Sequence, residues 1–221
     1  MLRSCNRVRH FVKLTNQRSL ATATTTPTKA LRKLPTPLVF LEGLGTPEKG
    51  TWQDKFSELG YTSTAVYLTA EPTGLGQSLG DVVRALSKDL AKCIQKDLSF
   101  FPPVIIANGV CTNIAERYIE SHPATGLVLV EPATAEKIAE MALQELPSDN
   151  YAMEECTYEP QFPILLIHNT QESSMPHRLQ GDPNVDKVVL DSGVKPNGFI
   201  DGKCWKDAYQ STAEWLDEMG M

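Results

Sequence analysis

The chain has 221 residues, with 21 Lys or Arg against 27 Asp or Glu, which gives a formal net charge of −6 at pH 7. This length allows one sizeable core, so we expect a single folded domain. The acidic balance argues against broad binding to nucleic acid, whose phosphate backbone requires basic patches. No stretch approaches the ~18 consecutive apolar residues of a membrane helix, so we expect a soluble protein without a membrane span.

The N-terminal segment is basic: the first 41 residues contain eight Lys or Arg and no Asp or Glu. Segments of this kind, rich in Ser and Thr, are typical of mitochondrial transit peptides. We predict a transit peptide over residues 1–20, cleavage near residues 18–21, and a location in the mitochondrial matrix. Its removal would take away five basic side chains and leave a net charge of −11. The alternative is a disordered basic arm that binds an acidic partner.

The segment that follows is polar. Residues 21–35 contain two prolines and predict a linker before a folded domain at residues 36–221. Within that domain, short apolar runs alternate with longer segments. The runs are continuous, as expected for strands buried on both faces of a parallel sheet, and they occupy residues 38–41, 65–68, 104–107, 127–130, 164–167 and 188–190.

The longer segments show helical periodicity. Apolar residues recur at three- and four-residue spacing over residues 79–98 and 205–219, and a further helix is predicted at about Ala133–Leu143, within the insert between Pro132 and Gln161. Strand and helix alternate along the chain. This order predicts an α/β domain with three α/β/α layers and a mostly parallel sheet of about six strands.

Four local patterns follow one another in the domain: residues 37–45 with Trp52, residues 74–78 (GLGQS), residues 103–111 with the later His122-Pro123, and residues 163–176. In this order and spacing they resemble the α/β-hydrolase family. They match its strand and His-Gly loop, its Gly-x-Gly-x-Ser turn, its nucleophile elbow, and the strand and loop that carry the catalytic acid. The resemblance covers residues 36–219. It implies the family's fold in a trimmed form, without room for its two earliest strands.

The elbow pattern lacks the family's serine. Gly109 stands at the nucleophile position, midway between Ala107 and Cys111, and the family's distance from the serine to His-Pro also leads to Gly109. An elbow needs small residues two before and two after the nucleophile because backbone packs against backbone there. Glycine adopts the strained turn without a Cβ clash, so the geometry can persist without the nucleophile.

The other positions that the resemblance implies have also changed. The loop after the last strand should hold the catalytic histidine, but residues 191–198 contain none, and Val194 lies there instead. The acid position is matched by Glu172, with Glu131 as a second candidate. The family's His-Gly becomes Glu42-Gly43. A carboxylate about 4 Å from an oxyanion would cost roughly 4 kcal/mol at an effective dielectric near 20, comparable to the ~3–4 kcal/mol of one lost oxyanion donor.

Cys111 offers an alternative nucleophile. A shift of two residues gives Gly109-Val110-Cys111-Thr112-Asn113, similar to a Gly-x-Cys-x-Gly elbow. His168 or His177 would then serve as the base and Glu172 would orient it. The plainer interpretation is a small buried side chain. The resemblance also implies a pocket around the elbow, lined by Glu42, Gly43, Leu44, Asn108, Gly109, Val110 and Met175.

Metal and cofactor sites are not expected. The five cysteines, at positions 5, 93, 111, 156 and 204, show neither a C-x-x-C pair nor paired spacing, which indicates free thiols in a reducing compartment. The GLGQS turn is not a dinucleotide loop, because Leu79 stands where the third glycine is required.

Three hypotheses follow from the sequence. The first is a mitochondrial α/β-hydrolase-like protein that has lost catalysis and binds a mitochondrial protein or a small acyl or lipid-like molecule. The second is a thiol-dependent hydrolase or acyltransferase that acts on a small ester or thioester through Cys111. The third is a purely structural subunit of a larger mitochondrial assembly.

Overall fold

A computed structural model of the chain describes residues 21–31, 33–43, 51–69, 78–97, 101–133, 153–169, 177–190 and 202–221. The strands there are β1 Ala21–Thr26, β2 Leu38–Gly43, β3 Ser63–Leu68, β4 Val104–Asn108, β5 Gly126–Val130, β6 Ile164–Asn169 and β7 Val185–Leu190. The helices are α1 Thr51–Leu59, α2 Leu79–Asp97, α3 Cys111–Ile119 and α4 Gly202–Glu218, with a 3₁₀ helix at Arg178–Gly181. The helix predicted in the insert, at about Ala133–Leu143, lies outside the described residues except for Ala133.

The strands form one sheet in the order β1-β3-β2-β4-β5-β6-β7. Strands β2 to β7 are parallel to their neighbours, and β1 pairs antiparallel with β3. The prediction of a mostly parallel α/β sheet is therefore confirmed, with seven strands where about six were expected. All six predicted apolar runs lie in strands, because continuous β-branched and leucine runs suit a sheet that is covered on both faces.

The N-terminal strand corrects the predicted linker. Residues Ala21–Thr26 pair along the whole length of β3, from Ala21 opposite Leu68 to Thr26 opposite Ser63. Ala21 is buried, and a hydroxyl hydrogen bond of 3.0 Å joins Thr25 to Thr64. The linker prediction is thus wrong for residues 21–26, and so is the expectation that no strand precedes Leu38. Alternating Ala and Thr residues lack an apolar run, but they suit an edge strand with one covered face.

The segment after β1 is also held to the domain. The backbone N–H of Lys29 donates to the Ser57 carbonyl on α1 at 2.9 Å, and the N–H of Leu34 donates to the Gly60 carbonyl at 2.9 Å. The Lys29 ammonium pairs with Asp54 at 2.7 Å, although both side chains are largely exposed. These contacts hold Lys29 and Leu34 against α1 and the residue that follows it, so neither lies in a free linker.

Side chains alternate between two core layers. One layer packs β-strand residues such as Ile105 and Leu129 against α2 and α3, and includes Leu86 and Ile114. The other packs Phe40, Ile106 and Val128 against α1 and α4, and includes Phe56 and Leu216. Each fully buried side chain of this size contributes roughly 1.5–3 kcal/mol by leaving water. The two layers fix the sheet between its helices and bring the carboxyl ends of β2 to β7 to one edge.

The chain reverses direction along the sheet between β2 and β4. After β2, helix α1 crosses one face to reach β3 on one side, whereas α2 crosses the other face to reach β4 on the opposite side. Ligands of open α/β sheets bind in the crevice that opens outside the carboxyl ends of strands at such a switch point. We therefore expect the candidate site at the carboxyl ends of β2 and β4. Within the described ranges, no helix has the length and apolar character needed to cross a membrane.

Candidate functional site at the carboxyl edge of the sheet

The turn between β4 and α3 has the form of a nucleophile elbow. β4 ends at Asn108, Gly109 has a φ of +56°, and α3 begins at Cys111. The Gly109 N–H donates to the Val130 carbonyl at 3.0 Å, and the Gly109 carbonyl accepts from the Thr112 hydroxyl at 2.6 Å. The turn is thus fixed both to β5 and to the first turn of α3. A positive φ of this kind is strained for any residue with a Cβ, which favours glycine.

Gly109 nevertheless has room for a side chain. Among the described residues, and apart from its two chain neighbours, no heavy atom lies within 4 Å of a Cβ built on it, and the residue is partly exposed. Ala107, two residues before it, and Cys111, two residues after it, are both buried. The described residues therefore combine the backbone of an elbow with an open nucleophile position, and glycine supplies no reactive group there. Val110, which the sequence assigns to the pocket, is 4% exposed and belongs to the core layer that also contains residues of α2 and α3.

Gly43, at the end of β2, is required for steric reasons. Its φ is +104°, and a Cβ there would collide with the backbone carbonyl oxygen of Leu68 on β3. Its own carbonyl oxygen lies 3.6 Å from the Cys111 thiol, which donates to it. The glycine of the family's His-Gly pair is thus kept by packing, independently of any catalysis.

Glu42 takes the place of the family's histidine and is bound to Tyr67. The two residues are directly paired across β2 and β3, and the Tyr67 hydroxyl hydrogen-bonds the Glu42 carboxylate. Burial raises the pKa of the Tyr67 hydroxyl, and the hydrogen bond to Glu42 and its negative charge raise this pKa further. Both side chains are half-buried. A sequence alone does not reveal Tyr67 as part of the site, because the register between β2 and β3 brings it there.

Asn108 lies on the other side of the switch point. The ladder between β2 and β4 runs from Leu38–Val104 to Phe40–Ile106, while both strands continue for two or more residues. Glu42 and Asn108 lie two residues beyond Phe40 and Ile106, the last pair of this ladder. Because side chains alternate along a strand, both are on the same face of the sheet as that pair. We call Tyr67, Glu42 and Asn108 the polar row: three half-buried polar side chains that end three neighbouring strands at the switch point.

Cys111, the alternative nucleophile, is fully buried. Burial raises the pKa of its thiol to about 12, and the charge of Glu42 adds to this shift. Near pH 7.5, on the order of 10⁻⁴ to 10⁻⁵ of such thiols carry the reactive thiolate. Burial of the thiol therefore disfavours Cys111 as a nucleophile. Its catalytic role stays a prediction from the sequence.

The two candidate bases are His168, in β6, and His177, which precedes the 3₁₀ helix. His177 accepts the Leu179 N–H at Nδ1 (3.3 Å), and its Nε2 lies 3.3 Å from the Glu116 carboxylate. Burial lowers the pKa of His168, and the charges of His177 and Lys187 lower it further. Among the residues that the structure describes, no contact joins either histidine to Cys111.

Glu116 is a buried polar residue that the sequence analysis missed. Its carboxylate accepts the Tyr158 hydroxyl at 3.0 Å besides approaching His177. The arrangement ties the chain before β6 and the 3₁₀ helix to α3. The sequence shows only a charged residue on the apolar face of a predicted helix. That pattern does not reveal a role for Glu116, because its partners Tyr158 and His177 come from distant segments.

Glu131, the second candidate for the acid, follows β5 directly. Its φ is +47°, unusual for a residue other than glycine, and its N–H donates to the Ile167 carbonyl at 2.8 Å. The remaining implied site positions, Leu44, Glu172, Met175 and Val194, lie outside the described residues and stay predictions.

No family model matches the sequence, and no curated protein matches it by sequence. Solved structures do match it. An α/β-hydrolase enzyme from the metagenome of sediments of the Mar Chica lagoon in Morocco has a TM-score of 0.63 at 16% identity, covering 93% of this chain and 98% of that one. An esterase from Exiguobacterium antarcticum has a TM-score of 0.61 at 11% identity, covering 89% and 95%. Mouse α/β hydrolase domain-containing protein 10 has a TM-score of 0.56 at 12% identity, covering 90% and 94%. At these identities the likeness is one of architecture, and the chain has the α/β-hydrolase fold.

Proposed function

We propose that this chain is a mitochondrial pseudoenzyme: an α/β-hydrolase-like protein that does not catalyse hydrolysis and acts by binding at the switch point of its sheet. The observation that carries the proposal is Gly109, which holds the elbow conformation beside free space but supplies no nucleophile. In a hydrolase of this architecture, that space is where a reactive oxygen attacks the substrate carbonyl.

The loss of the nucleophile has a large energetic consequence. Removing the serine of a catalytic triad lowers kcat by roughly 10⁶, and the residual rate comes from the oxyanion hole and from substrate binding. Here Glu42 places a carboxylate at the end of β2, where its charge would oppose a developing oxyanion. The two changes act on the same transition state. Together they support binding over ester hydrolysis.

Location in mitochondria rests on the acid-free N-terminal segment. The first described strand begins at Ala21, immediately after the predicted transit peptide. Removal of residues 1–20 would therefore leave every described strand of the sheet in place.

Active-site labelling tests the proposal. We expect the purified protein to remain unlabelled by a fluorophosphonate probe and to hydrolyse p-nitrophenyl acetate no faster than buffer. Clear labelling, or turnover that survives further purification, would overturn it. Turnover that Cys111→Ala abolishes would instead establish the thiol-dependent hydrolase or acyltransferase. Affinity purification from mitochondria then separates a stable assembly subunit from a protein that binds a small molecule.

A further inference from the structure

The polar row contains one acidic residue. This residue is Glu42, whereas Tyr67 and Asn108 carry no carboxyl group. Glu42 is half-buried, and no ion pair involves it within the described part of the chain. A partly desolvated carboxylate without a counter-ion is unfavourable, and a cation brought beside it recovers part of that cost. The hydrogen bond from Tyr67 orients the carboxylate but does not neutralise it.

The nucleophile position of the elbow is open among the described residues. Gly109 follows Asn108 directly, and no described residue other than its two chain neighbours has a heavy atom within 4 Å of its Cβ position. The thiol of Cys111 donates to the carbonyl of Gly43, the residue after Glu42, so the elbow and the end of β2 are in contact. The negative charge of Glu42 acts at the elbow as well, since it contributes to the raised pKa of Cys111. The space left by the missing side chain thus lies within the field of a carboxylate.

An aromatic group lies on the same face of the sheet. The Trp52 ring meets Phe40, two residues before Glu42, edge-on at a centroid distance of 6.3 Å. Trp52 also packs against Trp205 at 4.5 Å and against Tyr209 at 5.7 Å. The faces of such rings attract cations. One ammonium group is in contact with these rings, since the Lys55 Nζ lies 4.6 Å from the centre of the Tyr209 ring.

Trp52 adds an unsatisfied donor. Its indole N–H is buried and has no hydrogen-bond partner in the described ranges. A buried donor without a partner is unfavourable, and an acceptor atom on a bound molecule would relieve this cost.

We propose that the switch point binds an organic ammonium group, with the cation in the space beside Gly109 and Glu42 as its counter-ion. The inference rests on the proposed binding function and names the chemical class of the ligand. It separates this site from that of an esterase, because the carboxylate that attracts an ammonium repels an oxyanion. The ammonium has two possible sources, a free small molecule or a lysine side chain of a partner protein.

Calorimetric titration of the full chain with choline tests the inference. The matched neutral compound is 3,3-dimethylbutan-1-ol, in which carbon replaces the charged nitrogen at nearly the same size. We expect choline to bind and the neutral compound to bind about tenfold more weakly or worse. A parallel titration with Nα-acetyl-lysine methylamide assigns the source: tighter binding than choline indicates a partner's lysine, and weaker binding indicates a small molecule.

Variants locate the cation. Glu42→Gln should weaken choline binding by about tenfold or more. Glu155→Gln, which removes an exposed carboxylate outside the switch point, should leave it unchanged. Gly109→Ala should also weaken binding, because its methyl group would occupy the space that is open among the described residues. Thermal melting of each variant shows that it is folded.

Two results would overturn the inference: choline and the lysine compound both fail to bind, or Glu42→Gln binds choline as the unsubstituted protein does. Neither result bears on the absence of hydrolysis, which fluorophosphonate labelling tests separately. Conversely, labelling by that probe would remove the proposed function whatever the outcome of the titrations.

Discussion

The backbone carbonyl of Leu68 occupies the position into which a β-carbon on Gly43 would project. The close approach of β3 to the end of β2 therefore depends on a missing side chain. The φ of +104° at Gly43 adds a second requirement for glycine.

Replacement of Gly43 by alanine should be strongly destabilising. The positive φ alone costs ~1–3 kcal/mol for a residue with a Cβ, and backbone must also move to relieve the collision. We expect a loss of about 3 kcal/mol or more in the free energy of unfolding, measured by urea denaturation. Gly181→Ala is the matched control, because its Cβ would meet no atom of the described residues within 4 Å, its chain neighbours aside, and its φ is not positive. A loss as large as that of Gly43→Ala would contradict the explanation.

Gly109→Ser should fold but should not create an esterase. The substitution meets open space, so its cost is the strain of a φ of +56°, roughly 1 kcal/mol. The new hydroxyl would lack a base within the described residues, and Glu42 would oppose the oxyanion. Ester hydrolysis and fluorophosphonate labelling should both stay at background. Activity in this single variant would show that a base stands near the elbow and that Glu42 does not prevent hydrolysis.

Ser63→Ala should stabilise the protein. The Ser63 hydroxyl, at the start of β3, is buried and has no hydrogen-bond partner among the described residues. Its removal relieves a desolvation cost, and we expect a gain of about 1 kcal/mol in the free energy of unfolding. Ser57→Ala is the control: that hydroxyl is equally buried but donates to the Asp54 carbonyl at 2.6 Å. The control should lose about 1 kcal/mol, and equal effects of the two changes would refute the argument.

The Cys111 thiol should contribute to the fall of stability at alkaline pH. Burial and then the charge of Glu42 raise its pKa to about 12 in the folded state, from an ordinary value of 9.0. The unfolded chain releases this proton first as pH rises, so the contribution is intact below pH 9 and is lost between pH 9 and 12. Urea denaturation at pH 7.5 and 10 should show a smaller drop for Cys111→Ala than for the unsubstituted chain. Identical drops would mean that the thiol is not held protonated by its surroundings.

The sequence predicted the parallel core because its strands are continuous apolar runs and its helices are periodic. It failed at β1, whose Ala and Thr residues carry little hydrophobic signal and gain their role by pairing with Ser63–Leu68. The elbow could be located because Gly109 is flanked by small residues at fixed spacing. The contact between Tyr67 and Glu42 could not, since it depends on the register of two strands. The contacts of Glu116 could not be predicted either, because its partners come from distant segments of the chain.

The placement of β1 has a consequence for maturation and handling of the protein. β3 would otherwise be an outer strand with unpaired N–H and C=O groups along Ser63–Leu68, and its Val66 and Leu68 side chains are almost fully buried. Exposed apolar edges of this kind recruit further chains and aggregate. Truncation past Thr26 would thus convert a capped sheet into a self-associating one. Residues 21–26 therefore bear on colloidal behaviour as well as on folding.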